Sequence, residues 1–248
     1  METNKNTILF LHGGPDHKEE WNQVISLLPE YECLAMDLPG FGLTSNIAKD
    51  FDFTLESQVD YLTKWLLKQG RRDKILVVGH DIGAILALAW ASEHKEKVSG
   101  LLLMNTVADK DFKWHKMGKI WGHKILGPLF MFFVNNAFFK MGFSKDFPEL
   151  SNEDVNNVAK GLSKTARKSL LKLFQKMTAP DYYEGWEDKF KNATSEIPTT
   201  VLWGKQDPLV AEEYAYQLGG KVIMIEDCGH WVPRQKPKLV AEQIKKML

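Results

Sequence analysis

Short apolar runs alternate with longer amphipathic stretches over the first 107 residues, and this alternation limits the possible folds more than any other feature. The apolar runs predict four strands, at Thr7–Leu11, Glu32–Met36, Ile75–Val78 and Val98–Met104. The stretches between them predict helices at Trp21–Leu28, Glu56–Lys68 and Ile82–His94. Because the strands are apolar throughout, we expect a parallel sheet that helices cover on both faces.

The alternation stops after residue 107 and resumes near residue 199. Residues 108–195 are rich in Phe, Met and Lys and predict helices without a strand. Beyond them the pattern predicts further strands and helices in turn, at Thr199–Trp203, Ala211–Leu218, Val222–Ile225 and Pro237–Met247. We predict one α/β core, residues 1–107 and 196–248, with a helical lid, residues 108–195, over the strand C-termini, where such sheets bind ligands.

The balance of charge and the small number of cysteines exclude several functional classes. The chain has 32 Lys and Arg against 32 Asp and Glu, so no net field attracts nucleic acid. The two cysteines, Cys33 and Cys228, are too few for a disulfide framework and lack zinc-site spacing. We therefore expect a cytoplasmic protein, monomeric or homodimeric, that uses no metal and no cofactor.

Membrane insertion is not expected either. The N-terminus lacks a signal-peptide pattern, and no run of about 18 apolar residues occurs. We interpret the apolar stretch Ile125–Phe143 as lid core packed over an apolar pocket, with membrane-surface docking or a dimer contact as the alternative. A solvated helix face explains the basic cluster formed by Lys160, Lys164, Arg167, Lys168 and Lys172.

A sharp turn follows the third strand, in Gly79-His80-Asp81-Ile82-Gly83. Glycines flank Asp81 where a helix must leave the strand at a tight angle, because a Cβ atom would clash there. Asp81 could simply cap the helix, but a cap does not require glycines on both sides. We interpret Asp81 as a nucleophile, with the N–H of Ile82 at the helix N-terminus favouring an anion.

Three other loops that follow strands complete the pattern. His12-Gly13-Gly14-Pro15 follows the first strand, and its glycines allow the backbone to approach a ligand closely. Asp207 and His230 follow the two strands near the C-terminus. Nucleophile, acid and histidine therefore occur in that chain order, each at the end of a strand.

On these residues the chain resembles the α/β-hydrolase superfamily over nearly its whole length. The resemblance implies an oxyanion loop at His12–Pro15 and an oxyanion hole formed by the N–H groups of Gly14 and Ile82. It also implies a triad of Asp81, Asp207 and His230. Such proteins usually have two more N-terminal strands, for which the first six residues leave no room, so we expect about six strands, without the N-terminal hairpin.

An Asp nucleophile narrows the resemblance to epoxide hydrolases, haloalkane dehalogenases and fluoroacetate dehalogenases. A carboxylate attacks saturated carbon well, whereas attack on an acyl carbon would give a high-energy anhydride. The dehalogenases usually place Trp or Arg where this chain has Ile82, so a halide would need Trp114, Trp121 or Trp186. Trp21 lies nine residues after His12, as in these families, and could border the pocket, although core packing is the expected role.

The resemblance implies an acid for an epoxide oxygen, usually a lid tyrosine. Tyr182 and Tyr183 are the candidates in residues 108–195, and His115 and His123 could also donate. We therefore predict a hydrolase that opens epoxides to diols through an alkyl ester on Asp81, with a small or medium apolar organic substrate and water. The alternatives are a haloalkane or haloacid dehalogenase and a non-catalytic scaffold that binds a small apolar ligand. Cys228 is interpreted as a spectator thiol.

Overall fold

Six parallel strands form the centre of the protein, as the apolar runs predict. The computed structural model describes residues 6–42, 47–71, 73–134 and 136–248. The strands are β1 (Thr7–Leu11), β2 (Glu32–Met36), β3 (Ile75–His80), β4 (Val98–Met104), β5 (Thr199–Gly204) and β6 (Lys221–Ile225). Their order in the sheet is β2-β1-β3-β4-β5-β6, and every neighbouring pair is parallel.

Helices connect these strands and cover both faces of the sheet. Those outside the β4–β5 connection are α1 (Asn22–Ile25), α2 (Leu55–Lys68), α3 (Ile82–Glu93), α10 (Glu213–Gln217), α11 (Val232–Gln235) and α12 (Pro237–Met247). The β4–β5 connection contains α4 (Lys116–Gly122), α5 (Leu126–Phe133), α6 (Asn136–Asp146), α7 (Asn152–Gly161), α8 (Lys164–Met177) and α9 (Glu187–Glu196). No strand occurs among the described residues of that connection, in agreement with its sequence pattern.

The first helix is shorter than predicted. The segment expected to form one helix over Trp21–Leu28 instead begins with a 3₁₀ turn at Lys18–Trp21, and α1 ends at Ile25. The N–H groups of Leu27 and Leu28 bond to carbonyls three residues back, which tightens the end of the helix into 3₁₀ geometry.

Alternate strand residues point to opposite faces and build two cores. Leu9 and Val77 belong to the cluster that α2 and α3 cover, whereas Ile8 and Val78 belong to the cluster with α1 and α12. Ile82–Ala91 are buried without exception, because α3 lies between the sheet and its neighbouring helices. This explains why its sequence is apolar on all sides.

The strand order reverses direction next to β1, which pairs with both β2 and β3. The loops after β1 and β3 diverge at this point, and a crevice forms at the C-terminal edge of the sheet. Because Leu11 is opposite Gly79 in the register, the loop beginning at His12 lies directly beside the turn at Asp81. The fold thereby brings together the first two loops that the sequence singles out.

Candidate active site

Asp81 occupies a strained turn between β3 and α3. Its backbone has φ 49° and ψ −124°, a conformation that costs a non-glycine residue about 1–3 kcal/mol. A Cβ atom on Gly79 would lie 2.5 Å from the Cα of Ala84, and one on Gly83 would lie 2.3 Å from the Leu11 carbonyl oxygen. Both glycines are therefore required by the close approach of neighbouring backbone.

The Asp81 side chain does not cap α3. It makes no hydrogen bond to the N–H groups of that helix, which removes the simpler explanation for an aspartate here. Instead its Oδ2 accepts the N–H of Gly14 at 2.9 Å. The carboxylate is thus turned away from its own helix and toward the loop after β1.

His230 lies between Asp81 and Asp207. His230 Nε2 is 4.0 Å from Asp81 Oδ1, and His230 Nδ1 is 2.7 Å from Asp207 Oδ2. The side chains of His230 and Asp207 are each 1% exposed, whereas that of Asp81 is 22% exposed. His230 Nε2 has no hydrogen-bond partner among the described residues, so it is available to a molecule bound beside Asp81.

The charges around His230 favour its protonated form. Burial opposes protonation, but the carboxylates of Asp207 and Asp81 outweigh it and raise the pKa of His230 to about 9. Burial likewise opposes the ionised form of Asp207, yet the His230 ring and its hydrogen bond hold the pKa of Asp207 below its usual value. Asp207 therefore stays ionised, and it keeps the Nδ1–H of His230 pointing toward itself.

Asn105, which its sequence context did not single out, positions Asp207. Its Nδ2 donates to Asp207 Oδ2 at 2.7 Å, and its Oδ1 accepts the N–H of Gly204 at 2.9 Å. The other carboxylate oxygen of Asp207 accepts the N–H groups of Leu209 and Val210. The sequence does contain a feature that could have identified Asn105 as a site residue: it is a polar residue directly after the apolar strand β4.

His12 holds the loop after β1, which was predicted to be an oxyanion loop, and this loop contributes Gly14 and Pro15 to the site. His12 is buried, and its Nε2 accepts the N–H of Leu38 at 2.9 Å, so it fixes the loop without facing a ligand. Ile82 begins α3, where the first N–H groups have no partner within the helix, and its side chain lies against Gly14. The two residues whose N–H groups are predicted to form the oxyanion hole are therefore in contact.

A buried contact between a carboxylate and a histidine, also missed from the sequence, connects three of these loops. His80 Nδ1 is 2.6 Å from Glu20 Oε1, and both side chains are completely buried. The second oxygen of Glu20 accepts the N–H of Gly13 at 2.9 Å, while His80 Nε2 donates to the carbonyl of His230 at 2.9 Å. Although burial opposes ionisation, the His80 ring lowers the pKa of Glu20. The pair joins the loop before Gly14, the turn at Asp81 and the loop at His230.

A mostly apolar cavity of about 230 Å³ lies directly over Asp81. Gly14, Asp81 and His230 form its floor, and side chains from the β4–β5 connection, including Trp114, Trp121 and Phe143, form most of its wall. An apolar cavity of about 150 Å³ already holds a benzene molecule. The cavity is therefore large enough for a small or medium organic molecule that contacts the carboxylate.

Comparison with known proteins agrees with this architecture. A family model described as the alpha/beta hydrolase fold matches residues 6–237. The chain belongs to the α/β-hydrolase family.

Similar α/β-hydrolases include proteins of different named activity. Epoxide hydrolase 1 of Caenorhabditis elegans is 25% identical over 282 residues, covering 98% of this chain but only 65% of the relative. Cis-3-alkyl-4-alkyloxetan-2-one decarboxylase of Xanthomonas campestris is 26% identical over 271 residues, covering 97% of this chain and 87% of the relative. The structure of a mutant of an epoxide hydrolase from Bacillus megaterium superposes with a TM-score of 0.77 at 18% identity, covering 98% of this chain and 93% of that one. The last comparison shows the fold alone.

In this α/β-hydrolase the two predicted acids do not reach the cavity. The hydroxyl of Tyr182 accepts a hydrogen bond from Gln58 Nε2 at 3.0 Å, and that of Tyr183 donates to the Val107 carbonyl at 3.1 Å. Neither tyrosine lines the cavity, and burial raises the pKa of both. The sequence analysis named both tyrosines as candidate acids, but partners outside the cavity hold both hydroxyls.

His115 does line the cavity, whereas His123 and Trp186 do not. The Nδ1 of His115 accepts the N–H of Gly118 at 3.2 Å, so in the neutral ring the proton is on Nε2. Burial lowers the pKa of His115, which keeps the ring neutral near pH 7. The indole N–H of Trp186 donates instead to Glu56 at 2.8 Å.

Trp21 and Cys228 lie outside the cavity of this α/β-hydrolase. Trp21 is fully buried and packs against Phe10 with ring centroids 5.1 Å apart, so its role is structural. Burial raises the pKa of the Cys228 thiol to about 12, which disfavours the reactive thiolate.

Proposed function

We propose that this α/β-hydrolase opens epoxides to diols through a covalent ester on Asp81. The observation that carries the proposal is the arrangement of the Asp81 carboxylate. Its Oδ2 is bonded to the Gly14 N–H at 2.9 Å, and its Oδ1 lies 4.0 Å from the unpartnered Nε2 of His230, beneath an apolar cavity. One oxygen is thus held as an ester carbonyl would be, while the other is directed to attack.

In the first step, Asp81 Oδ1 attacks a ring carbon of the epoxide and the bond from that carbon to the ring oxygen breaks. The product is an alkyl ester with an alkoxide on the adjacent carbon. That alkoxide takes the proton that His230 holds in the free enzyme, and a hydrogen-bond donor stabilises it as it forms. His115 is the residue we propose for this role, because its Nε2–H belongs to a side chain that lines the same cavity. It replaces the two tyrosines expected from the sequence.

In the second step, His230 takes a proton from a water molecule, which adds to the ester carbon of Asp81. Negative charge develops on Oδ2, where the N–H groups of Gly14 and Ile82 stabilise it; one such donor contributes about 3–4 kcal/mol. The intermediate collapses and the departing oxygen of the diol takes the proton from His230. The proton of the resulting Asp81 carboxylic acid then passes to His230, which restores the carboxylate and the protonated ring of the free enzyme. Neither step requires a metal or an organic cofactor.

The pKa of His230 suits this order of steps. In the free enzyme the negative charge of Asp81 contributes to the raised pKa of His230, about 9, so the ring is protonated and cannot accept a proton from water. Formation of the ester removes the charge of Asp81. The pKa of His230 then falls, and the ring becomes a base only after the intermediate has formed.

The cavity wall and the named relatives support a small apolar epoxide as substrate. We propose that α4–α9 act as a lid, because their side chains form most of the wall of the cavity. Two relatives are named for strained oxygen-containing rings, an epoxide and an oxetan-2-one. Both kinds of ring contain a saturated carbon bonded to a ring oxygen, which is the target that an Asp nucleophile suits.

One observation favours a second candidate, dehalogenation through the same ester. Trp114 and Trp121 line the cavity, and the Nε1–H of Trp121 has no hydrogen-bond partner among the described residues. An indole N–H stabilises a departing halide. The chemistry at Asp81 and His230 would be unchanged, so only the leaving group distinguishes the two functions.

A paired screen tests the proposed function. The wild-type protein is incubated with a terminal epoxide and with a haloalkane of similar size, and diol and halide are measured in parallel. Diol formation that Asp81→Asn abolishes is the expected result. Halide release without diol formation supports dehalogenation. If a range of substrates gives neither product, and an apolar ligand binds tightly, the result supports a non-catalytic scaffold.

A further inference from the structure

Helices α5 and α6 expose an unusual number of large apolar side chains. We define the apolar face as Ile125, Leu126, Leu129, Phe132, Phe133, Phe138 and Met141, whose exposed fractions range from 51% to 80%. Seven of the ten large hydrophobic residues that are exposed in the described part of the chain belong to it. The prediction that Ile125–Phe143 packs as lid core therefore holds only for inward residues such as Met131, Val134 and Phe143.

The region that carries the apolar face is strongly basic. Residues 112–180 contain twelve Lys and Arg against four Asp and Glu, a net charge of +8. Because the whole chain is neutral, its remaining residues have a net charge of −8. No acidic residue occurs between 112 and 145, the part that includes both exposed helices.

Basic side chains border the apolar face directly. The guanidinium of Arg167 on α8 donates to the Val134 carbonyl at 2.6 Å and to Asn136 Oδ1 at 2.7 Å, at the junction of α5 and α6. Lys164 and Lys168 are exposed; Lys164 is three residues before Arg167 and four before Lys168, so it is a surface neighbour of both on α8. Cations therefore lie along the edge of the apolar face.

The apolar face continues into the active-site cavity. Phe130, Val134 and Phe138 line both the shallow groove on the protein surface and the cavity over Asp81. The groove and the cavity therefore lie on two sides of the same three apolar side chains. The face is thus next to the cavity over Asp81.

We propose that the apolar face docks on an anionic phospholipid surface, from which apolar substrates pass into the cavity. Partly inserted aromatic and aliphatic side chains with surrounding cations are the features of helices that lie in a membrane interface. A second copy of the chain is a poorer occupant, because a symmetric contact would bring two regions of net charge +8 together. No described helix is long and apolar enough to cross a membrane. The docking depends on this surface and not on the reaction proposed for Asp81.

Vesicle sedimentation tests the proposal. The full chain is mixed with sucrose-loaded vesicles of phosphatidylcholine, with or without phosphatidylserine, and the bound fraction is measured. Two double variants weaken the face: Phe132→Ser with Phe133→Ser, and Lys164→Glu with Lys168→Glu. Matched controls change exposed residues elsewhere: Leu67→Ser with Tyr216→Ser, which are 59% and 65% exposed, and Lys238→Glu with Lys246→Glu.

We expect binding to vesicles that contain phosphatidylserine, and we expect each face variant to reduce the partition coefficient about tenfold or more. About 1 M salt should weaken binding, since it shortens the Debye length to about 3 Å. The control variants should bind as the wild type does, and all variants should retain the wild-type melting temperature. Absence of vesicle binding overturns the proposal, as does equal binding by face and control variants. Analytical ultracentrifugation provides the alternative outcome. If the chain does not bind vesicles but forms a dimer, and the double variant Phe132→Ser with Phe133→Ser dissociates that dimer, the face is assigned to a second copy of the chain instead.

Discussion

Substitution of Asp81 by Asn should lower the pKa of His230, and the structure sets the size of the effect. The two side chains are 4.0 Å apart, from His230 Nε2 to Asp81 Oδ1. At that distance two unit charges interact by about 1 kcal/mol in water and about 4 kcal/mol at an effective dielectric constant near 20. Because His230 is buried and Asp81 faces a cavity, the interaction lies between these limits. Since about 1.4 kcal/mol corresponds to one pH unit, we expect a fall of roughly one to three pH units from the wild-type value of about 9.

The measurement is an NMR titration of isotopically labelled histidine side chains. The chain has seven histidines, and the spectrum of His230→Gln identifies the resonances of His230. Asp146→Asn is the matched control, because Asp146 also lines the cavity, whereas the main causes of the raised pKa of His230 are the carboxylates of Asp207, Asp81 and Glu20. A fall of less than about 0.3 pH units in Asp81→Asn, or an equal fall in Asp146→Asn, would refute the idea that loss of the Asp81 charge converts His230 into a base.

Three further substitutions test individual contacts. Asn105→Gly removes the hydrogen bond from Asn105 to the ionised Asp207, while glycine tolerates the positive φ of this position. Turnover should therefore fall about ten- to a hundredfold. An unchanged rate would exclude a positioning role for Asn105. Tyr183→Phe should leave turnover within about threefold and destabilise the fold by about 1 kcal/mol, because it removes only the hydrogen bond to the Val107 carbonyl. His115→Ala should slow ester formation. Slow ester formation in Tyr183→Phe, with a normal rate in His115→Ala, would instead assign the acid to the tyrosine. Glu20→Gln should lower the free energy of unfolding by about 1.5–3 kcal/mol in urea denaturation, because it removes the buried carboxylate that the His80 ring and the Gly13 N–H contact. The exposed neighbour Glu19→Gln should lower it by less than about 0.5 kcal/mol, and equal effects would show that the contacts of Glu20 are unimportant.

The sheet was predictable because each strand is a short apolar run bounded by polar or turn-forming residues. All six predicted strands occur within two residues of their expected ends, and the inserted helices separate β4 from β5 as expected. The grouping of Asp81, Asp207 and His230 was predictable for the same reason. Each follows a strand, and the C-terminal ends of parallel strands meet at one edge of the sheet.

Side-chain directions among the inserted helices were not predictable, because no strand register fixes them. The hydroxyls of Tyr182 and Tyr183 are held by Gln58 and Val107, which are 124 and 76 residues away in sequence. Likewise, an apolar run alone does not reveal which of its residues face water, as Phe132 does with an exposed fraction of 80%. Both the hydrogen-bond partners of these tyrosines and the exposure of Phe132 depend on how the helices pack against one another. The pattern of apolar residues in a single sequence does not determine that packing.

The Glu20–His80 pair escaped sequence analysis for a related reason. Its members are 60 residues apart, and each has an ordinary appearance beside a more conspicuous neighbour, Trp21 or Asp81. Only the pairing of β1 with β3 brings their loops together. A buried charged residue is rarely recognised from the sequence alone, because its burial depends on a partner that is distant in the chain.

The central claim is that Asp81 becomes covalently attached to substrate, and intact-protein mass spectrometry of His230→Gln tests it most directly. Without the base, ester formed with a reactive terminal epoxide such as styrene oxide should persist. We predict one added epoxide mass per chain, located by peptide mapping on Asp81, and no adduct when Asp81→Asn is combined with His230→Gln. Absence of an adduct from His230→Gln, or an adduct on any other residue, would contradict it.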